Sequence, residues 1–229
     1  MIEVAITSWP NSPRRLHYFK TVAGALLDGL SASRHKLRFL CSSESHPLPG
    51  EQWCGDELAG FCAANAIELH WRDKPPSMGG NCNDLLALCR APFILMMQDD
   101  WLLKAPLDLS DGADLMRDDP TIDMIRYSYG QGSHKPEFDE YRDDWRQFRL
   151  HSPWPYGMDP HMIRGTFVEK WGPFHAEPNS VACEGDMLWR LVGGNARILA
   201  ADRQYFYHRG QAGGIGNVAA ALYKVRRKQ

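Results

Sequence analysis

The chain has 229 residues, with 26 Lys and Arg against 28 Asp and Glu, a formal net charge of −2, 44% hydrophobic and 24% charged residues. These are globular averages, so the composition excludes a disordered polyelectrolyte and gives no whole-protein pull toward nucleic acid or an anionic membrane, although the end "YKVRRKQ" is locally basic. The length allows a substantial core, no apolar run approaches the ~20 residues that span a bilayer, and "MIEVAITSWP" lacks the basic start and cleavage site of a signal peptide.

"EVAIT" (3–7) reads as a short strand, and Pro10 and Pro13 punctuate the loop after it. From Arg14 to Leu30 the apolar positions Leu16, Phe19, Val22, Ala23, Leu26, Leu27 and Leu30 follow helical spacing. "LRFLC" (37–41) is a second strand ending in a Ser/Pro-rich loop, "ELAGFCAANA" (57–66) a second helix and "IELHWR" (67–72) a third strand. "NDLLALCR" (83–90) is expected as a helix and "PFILMMQ" (92–98) as a fully apolar strand. Such alternation predicts an α/β fold, Rossmann-like, with a mainly parallel central sheet and helices on both faces. The stretch 127–160 is rich in aromatics, charges, Gly and Pro, and fits a long insertion or an edge hairpin. After it, "GQAGGIGNV" suggests a loop able to close over a ligand. Six cysteines, at positions 41, 54, 62, 82, 89 and 183, form no Cys-x-x-Cys pair, so unpaired thiols in a reducing, cytoplasmic setting are expected.

In parallel sheets ligands bind beyond the carboxyl ends of the strands. That rule sets Thr7, Ser8 and Trp9, the Ser42–Ser45 loop, Asp73 and the pair Asp99 and Asp100 along one rim. A single Asp after a strand is a turn former. Two adjacent carboxylates repel each other and need compensation, and on a ligand rim that points to a divalent cation, Mn2+ or Mg2+.

From Asn83 to Asp100 the chain resembles the segment before the Asp-x-Asp motif of glycosyltransferases with the GT-A fold, especially the large family 2 group. That group shows an Asn opening a helix, an apolar strand, and an acidic triplet at the strand end; here the triplet is "QDD", with Gln98 in first place. The resemblance implies a metal bound by Asp100, with Asp99 facing the donor sugar or ribose. The stretch 162–199 is similar to the family's later pattern. Gly172 and Phe174 match "G-x-F", Arg190 the helix arginine, and Asp186 the second helix acid. Glu184 falls where the family has its catalytic acid, and Cys183 replaces the preceding glutamate. "QYFYHRG" (204–210) resembles the strand ending in a metal-binding histidine, His208.

The resemblance implies one glycosyltransferase domain over 1–229, with 1–105 binding a nucleoside diphosphate sugar and 106–229 carrying acceptor binding and catalysis. Donor contacts are expected from Thr7, Ser8, Trp9, Arg14, Asp73, Asn83 and Asp99, and acceptor contacts from Trp171, Gly172 and Phe174. Uridine diphosphate is the family's commonest donor nucleotide, although "CSSESHP" lacks the aspartate that many relatives use to hold the base. The acceptor is a glycan, a lipid-linked glycan, a protein or a small metabolite, with a hydroxymethylated pyrimidine in DNA as a remoter alternative.

The chemistry asks for the same residue types. A divalent ion neutralises a leaving diphosphate, and a carboxylate takes the proton of the attacking hydroxyl, implying inversion at the anomeric carbon. Glu184 is the first candidate for the base and Asp186 the second. Simpler readings stand beside these: Glu184 and Asp186 also suit the start of a helix, His208 suits an aromatic core, and Trp171 and Phe174 suit packing. Arg14 and Arg15 are either surface charges or approach the diphosphate. A nucleotidyltransferase would carry a Gly-rich, Arg-containing signature where "TSWPNSPRR" stands, and an aspartate phosphatase would need its nucleophile where Ser8 and Trp9 stand. The non-enzyme rival is a sugar- or nucleotide-binding module.

Overall fold

The computed structural model describes residues 1–45, 53–129, 136–142, 144–152, 155–176 and 180–208. The glycine cluster after His208, the basic end and most of the Ser/Pro-rich loop lie outside the described residues.

The first strand, β1 (Ile2–Ser8), is buried along its whole length, as expected for the centre of a sheet covered on both faces. Helix α1 (Pro13–Gly29) follows; the Ser12 side chain caps it by accepting the Arg15 N–H, Pro13 occupies the first turn, and Leu16, Phe19, Val22, Ala23 and Leu26 form its buried stripe. Then come β2 (Leu30–Ser31), β3 (Leu37–Glu44), α2 (Gly55–Ala64), β4 (Ile67–Arg72), α3 (Met78–Leu88) and β5 (Phe93–Gln98). The second half supplies β6 (Trp101–Leu103), β7 (Leu107–Asp108), α4 (Ser110–Asp118), β8 (Ile122–Arg126), β9 (Phe138–Arg142) and β10 (Trp145–Phe148). It ends with β11 (His161–Arg164), α5 (Phe167–Trp171), α6 (Ser180–Gly193), β12 (Arg197–Ala201) and β13 (Phe206–His208).

Among the described residues nine strands form one sheet, in the order β4-β3-β1-β5-β11-β8-β12-β10-β9. Only β11 and β10 run against the other seven. The sheet is therefore mainly parallel in direction, as the alternating sequence pattern predicts, and β9 with β10 forms a hairpin at its edge. One core packs α1, α2 and α4 on one face, the other packs α3, α5 and α6 on the opposite face.

Two boundaries differ from expectation. Strand β3 continues through Ser42, Ser43 and Glu44, all buried, so these are strand residues and not the start of a loop. Helix α3 begins at Met78, not at Asn83; Ser77 caps it by accepting the Gly80 N–H. The pair Gly79-Gly80 reads as a break in sequence, yet both glycines serve close packing. A Cβ at Gly79 would lie 1.9 Å from the His175 carbonyl oxygen, and one at Gly80 2.5 Å from the Arg72 guanidinium. Among the described residues no helix is long and apolar enough to cross a membrane.

Candidate active site

β1, β3, β4 and β5 run parallel, so their carboxyl ends share one edge, with Thr7 beside Gln98 and Ser8 beside Ser43. The acid pair follows β5 directly. Asp99 is 1% exposed and accepts from the Ser8 hydroxyl at 2.8 Å and from the Trp9 N–H at 3.4 Å. The compensation that two adjacent acids require comes from α1: Arg15 pairs with Asp99 and reaches Asp100 Oδ2 at 3.4 Å. Burial nevertheless pushes the Asp99 carboxyl up to about 6, with Asp100 adding to the rise and Arg15 opposing it. Thr7 is buried, with its hydroxyl 3.4 Å from the Met97 carbonyl oxygen. Asn81 of α3 reaches the Ser8 carbonyl at 3.3 Å with its Nδ2, while its buried Oδ1 finds no partner among the described residues.

His208 arrives from the other end of the chain. β13 pairs antiparallel with β6, the strand that starts immediately after the acid pair, and sets His208 opposite Trp101. The indole packs edge-on to the imidazole with centroids 4.8 Å apart, and His208 Nε2 lies 3.3 Å from Asp100 Oδ2. Burial opposes ionisation of Asp100, but His208 and Arg15 outweigh it and hold the carboxyl below its ordinary value. Asp100 Oδ1 and His208 Nδ1 are buried without hydrogen-bond partners among the described residues. A carboxylate oxygen and an imidazole nitrogen side by side, each residue with a further lone pair unclaimed, suit Mn2+ or Mg2+. No cluster of three His, Cys, Asp or Glu able to hold a metal occurs among the described residues, so remaining ligands would have to come from substrate or water.

The two helix acids of α6 separate clearly. Glu184 turns inward and accepts the Met158 N–H at 3.2 Å; burial is the main cause that raises its carboxyl above the ordinary value. Asp186, about 200° further round the helix, pairs with Arg190 one turn on and is 41% exposed. Arg190 also donates to the Trp171 carbonyl and, at 2.8 Å, to the Pro173 carbonyl, so Asp186 and Arg190 buttress the "WGPF" loop.

Several expected contacts are engaged elsewhere. Arg14 is exposed and donates from Nε to the Tyr18 hydroxyl at 2.8 Å; its neighbour Arg15 is the arginine at the acids. Asn83 lies inside α3, and both ends of its amide bind the Phe174 main chain at 2.8 Å, joining α3 to the loop before α6. Asp73 lies exposed beyond β4, with the Ser45 hydroxyl 3.5 Å away. Phe174 is a core residue, 2% exposed and stacked on Phe167, so its ring presents no acceptor platform. Trp171 donates from Nε1 to Asp123 at 3.2 Å, and Gly172 takes φ +79°, where its missing Cβ leaves room for Arg190.

Two buried residues were missed by sequence reasoning: Arg126 at the end of β8 and Asp159, which pair with each other beside Glu184. The available signal was an arginine closing the strand-like run "TIDMIR", which a buried strand carries only with a partner. A cavity of about 870 Å³ is lined by none of the expected residues. It lies at the opposite edge of the sheet and is lined by Asp123, Asp139, Gln147, Arg149, Lys170 and Arg197 among others.

No family model and no curated protein matches the chain. Solved structures do. The Staphylococcus aureus TarS fragment 1–349 in complex with UDP-GlcNAc superposes with a TM-score of 0.65 at 15% identity, over 93% of this chain and 61% of that one. The same fragment alone gives 0.63 at 15%, over 90% and 60%. The mannosyltransferase PcManGT of Pyrobaculum calidifontis, in complex with GDP-Man and Mn2+, gives 0.62 at 11%, over 99% and 60%. The chain therefore spans about three fifths of the length of these structures. Its fold is the GT-A fold of glycosyltransferases.

Proposed function

We propose that the chain is a metal-dependent glycosyltransferase, related to family 2, moving a hexosyl or pentosyl unit from a nucleoside diphosphate sugar to an acceptor hydroxyl with inversion. The observation that carries this reading is the meeting of Asp100 and His208 at 3.3 Å on the carboxyl rim of a GT-A sheet, from positions 108 residues apart. The neighbours' bound UDP-GlcNAc, and GDP-Man with Mn2+, support it. A divalent ion held by Asp100 and His208 would offset the charge of the departing diphosphate.

The chain's own residues supply the rest. Ser8, Trp9 and Arg15 hold Asp99 where a donor ribose or sugar hydroxyl could bond to it. Glu184, inward-facing and desolvated, takes the proton of the attacking hydroxyl; Asp186, tied to Arg190, keeps the neighbouring loop in place. A raised carboxyl is a better base than an ordinary one, because proton affinity rises with it. A single domain, a uridine diphosphate donor and a saccharide-bearing acceptor (glycan, lipid-linked glycan or protein) complete the proposal. The six cysteines are buried and form no disulfides, which supports a cytoplasmic setting.

The test is a thermal-shift panel of nucleoside diphosphate sugars with and without Mn2+, followed by NMR of the product's anomeric centre. One donor should stabilise the protein in a Mn2+-dependent way, and transfer should invert configuration. If no nucleotide sugar stabilises it, the reading fails. If a donor binds but no acceptor yields product, a nucleotide-sugar-binding module replaces it.

A further inference from the structure

The turn from Tyr156 to Pro160 is held by more buried polar contacts than a simple connection requires. Asp159, 6% exposed, forms a two-point ion pair with Arg126, 2% exposed, whose Nε lies 3.1 Å from Oδ1. His161 Nδ1 lies 2.6 Å from the Asp159 carbonyl oxygen, which can only accept, so the proton sits on Nδ1. The Tyr127 N–H bonds to the Pro160 carbonyl at 3.0 Å, and the Tyr156 ring packs edge-on to His161 with centroids 5.8 Å apart. Out of this clamped turn one main-chain donor emerges, the Met158 N–H on Glu184 Oε1 at 3.2 Å.

We propose, on the reading that Glu184 is the catalytic base, that Arg126, Asp159 and His161 are its positioning residues, locking the turn so that Met158 N–H fixes the orientation of the Glu184 carboxylate. A buried ion pair adds little net stability over an apolar replacement of similar volume, so its value here lies in orientation. The same pair acts electrostatically on Glu184. The groups facing Glu184 are Asp159 and Tyr156 from the turn, Arg126 from β8, His208 from β13 and Cys82 from α3. Asp159 opposes ionisation of Glu184, whereas Arg126 and His208 favour it.

Two variants of the full chain test this. In Asp159→Asn the turn keeps its shape but loses the negative charge, so the Glu184 titration, followed by 13C NMR of labelled Glu and assigned by its absence in Glu184→Gln, should move to lower pH. Asp159→Asn takes the Asp159 carboxylate away from Arg126, so its folding is checked by circular dichroism before the titration is read. The double variant Arg126→Met with Asp159→Asn buries no unpaired charge and removes the clamp. There the Met158 amide should exchange with solvent at least tenfold faster while β8 amides hold their rates, and kcat should fall with donor KM unchanged. Unaltered Met158 exchange in the double variant, or an unmoved Glu184 titration in a folded Asp159→Asn, overturns the proposal. Both NMR readouts need no substrate. Absent transfer by the parent chain therefore counts against the glycosyltransferase reading, while the exchange rates still decide the clamp.

Discussion

Both edges of the central sheet carry charged side chains but treat them differently. At the far edge, Asp123 accepts from Lys170 at 2.5 Å, from Trp171 Nε1 at 3.2 Å and from the Arg197 N–H at 2.9 Å. Arg197 in turn donates to Gln147, Asp119 and Thr121, and Arg149 pairs with Asp139. That edge lines the cavity and pairs most of its charges with one another. At the carboxyl rim, Asp99 and Asp159 are buried and Glu184 half-buried, all three carboxyls are raised, and Asp100, His208 and Asn81 keep unpartnered polar atoms among the described residues. Buried polar groups without partners cost free energy, so on the proposed reading substrate and metal would supply the bonds that Asp100, His208 and Asn81 lack, although Ser152 at the far cavity also has an unpartnered hydroxyl. The cavity lies away from the proposed site, whereas unpartnered polar atoms lie within it.

The sharpest way to break this contrast is Asp100→Ala or His208→Ala. Each should abolish Mn2+-dependent stabilisation by the donor and lower transfer by roughly a hundredfold or more, with the metal-free melting temperature little changed. Metal-dependent donor binding that survives in Asp100→Ala removes the basis of the site. Next in size is the difference between the two helix acids. Glu184→Gln should leave donor affinity intact and cut kcat by about a hundredfold, whereas Asp186→Asn should cost only a few-fold, through the loosened Trp171–Pro173 loop. The reverse order would make Asp186 the base.

Asp99 sharpens the contrast through pH. Its folded value of about 6 lies above the ordinary 3.8, so between those limits the native state holds a proton that the unfolded chain releases. Stability from this group is present below about pH 4 and declines as pH rises through 6. Asp99→Asn should therefore be more stable than the parent above pH 6, by on the order of 1 kcal/mol once Arg15 and Asp100 are allowed for, and equal to it near pH 4. Donor binding should weaken in the same variant. Urea denaturation at pH 4 and 7.5 reads the difference, and a variant less stable at pH 7.5 contradicts it. The smallest effect belongs to the far edge. Lys170→Met breaks a pair whose lysine is half-exposed, so stability should change by less than about 1 kcal/mol and transfer by less than twofold. A large loss of transfer would mean that the far cavity takes part in function.

Much of this rim follows from the chain's local pattern. β4 occupies its expected residues, β5 is shorter by one, and strand–helix alternation carries Asp99 and Asp100 to the carboxyl edge because parallel strands all end there. His208 was legible only through resemblance, since nothing near it names Asp100; the β6–β13 pairing joins them. Periodicity also could not choose between Glu184 and Asp186, because it defines their relative phase on α6 but not which side meets the 156–160 turn. Arg15 and Arg14 differ in the same way, one at the acids and one on Tyr18.

Sequence alone therefore determined the alternating elements, the parallel sheet and the edge at which its carboxylates gather, all consequences of side-chain periodicity and strand direction. The tertiary structure decided which residues complete that edge: Arg15 against the acid pair, Asn83 as a brace to Phe174, and Arg126 with Asp159 behind Glu184. Those choices depend on contacts between segments far apart in the chain, 33 residues for Arg126 and Asp159 and 91 for Asn83 and Phe174. No local propensity encodes such a meeting; it exists only once both segments have been packed against the same sheet.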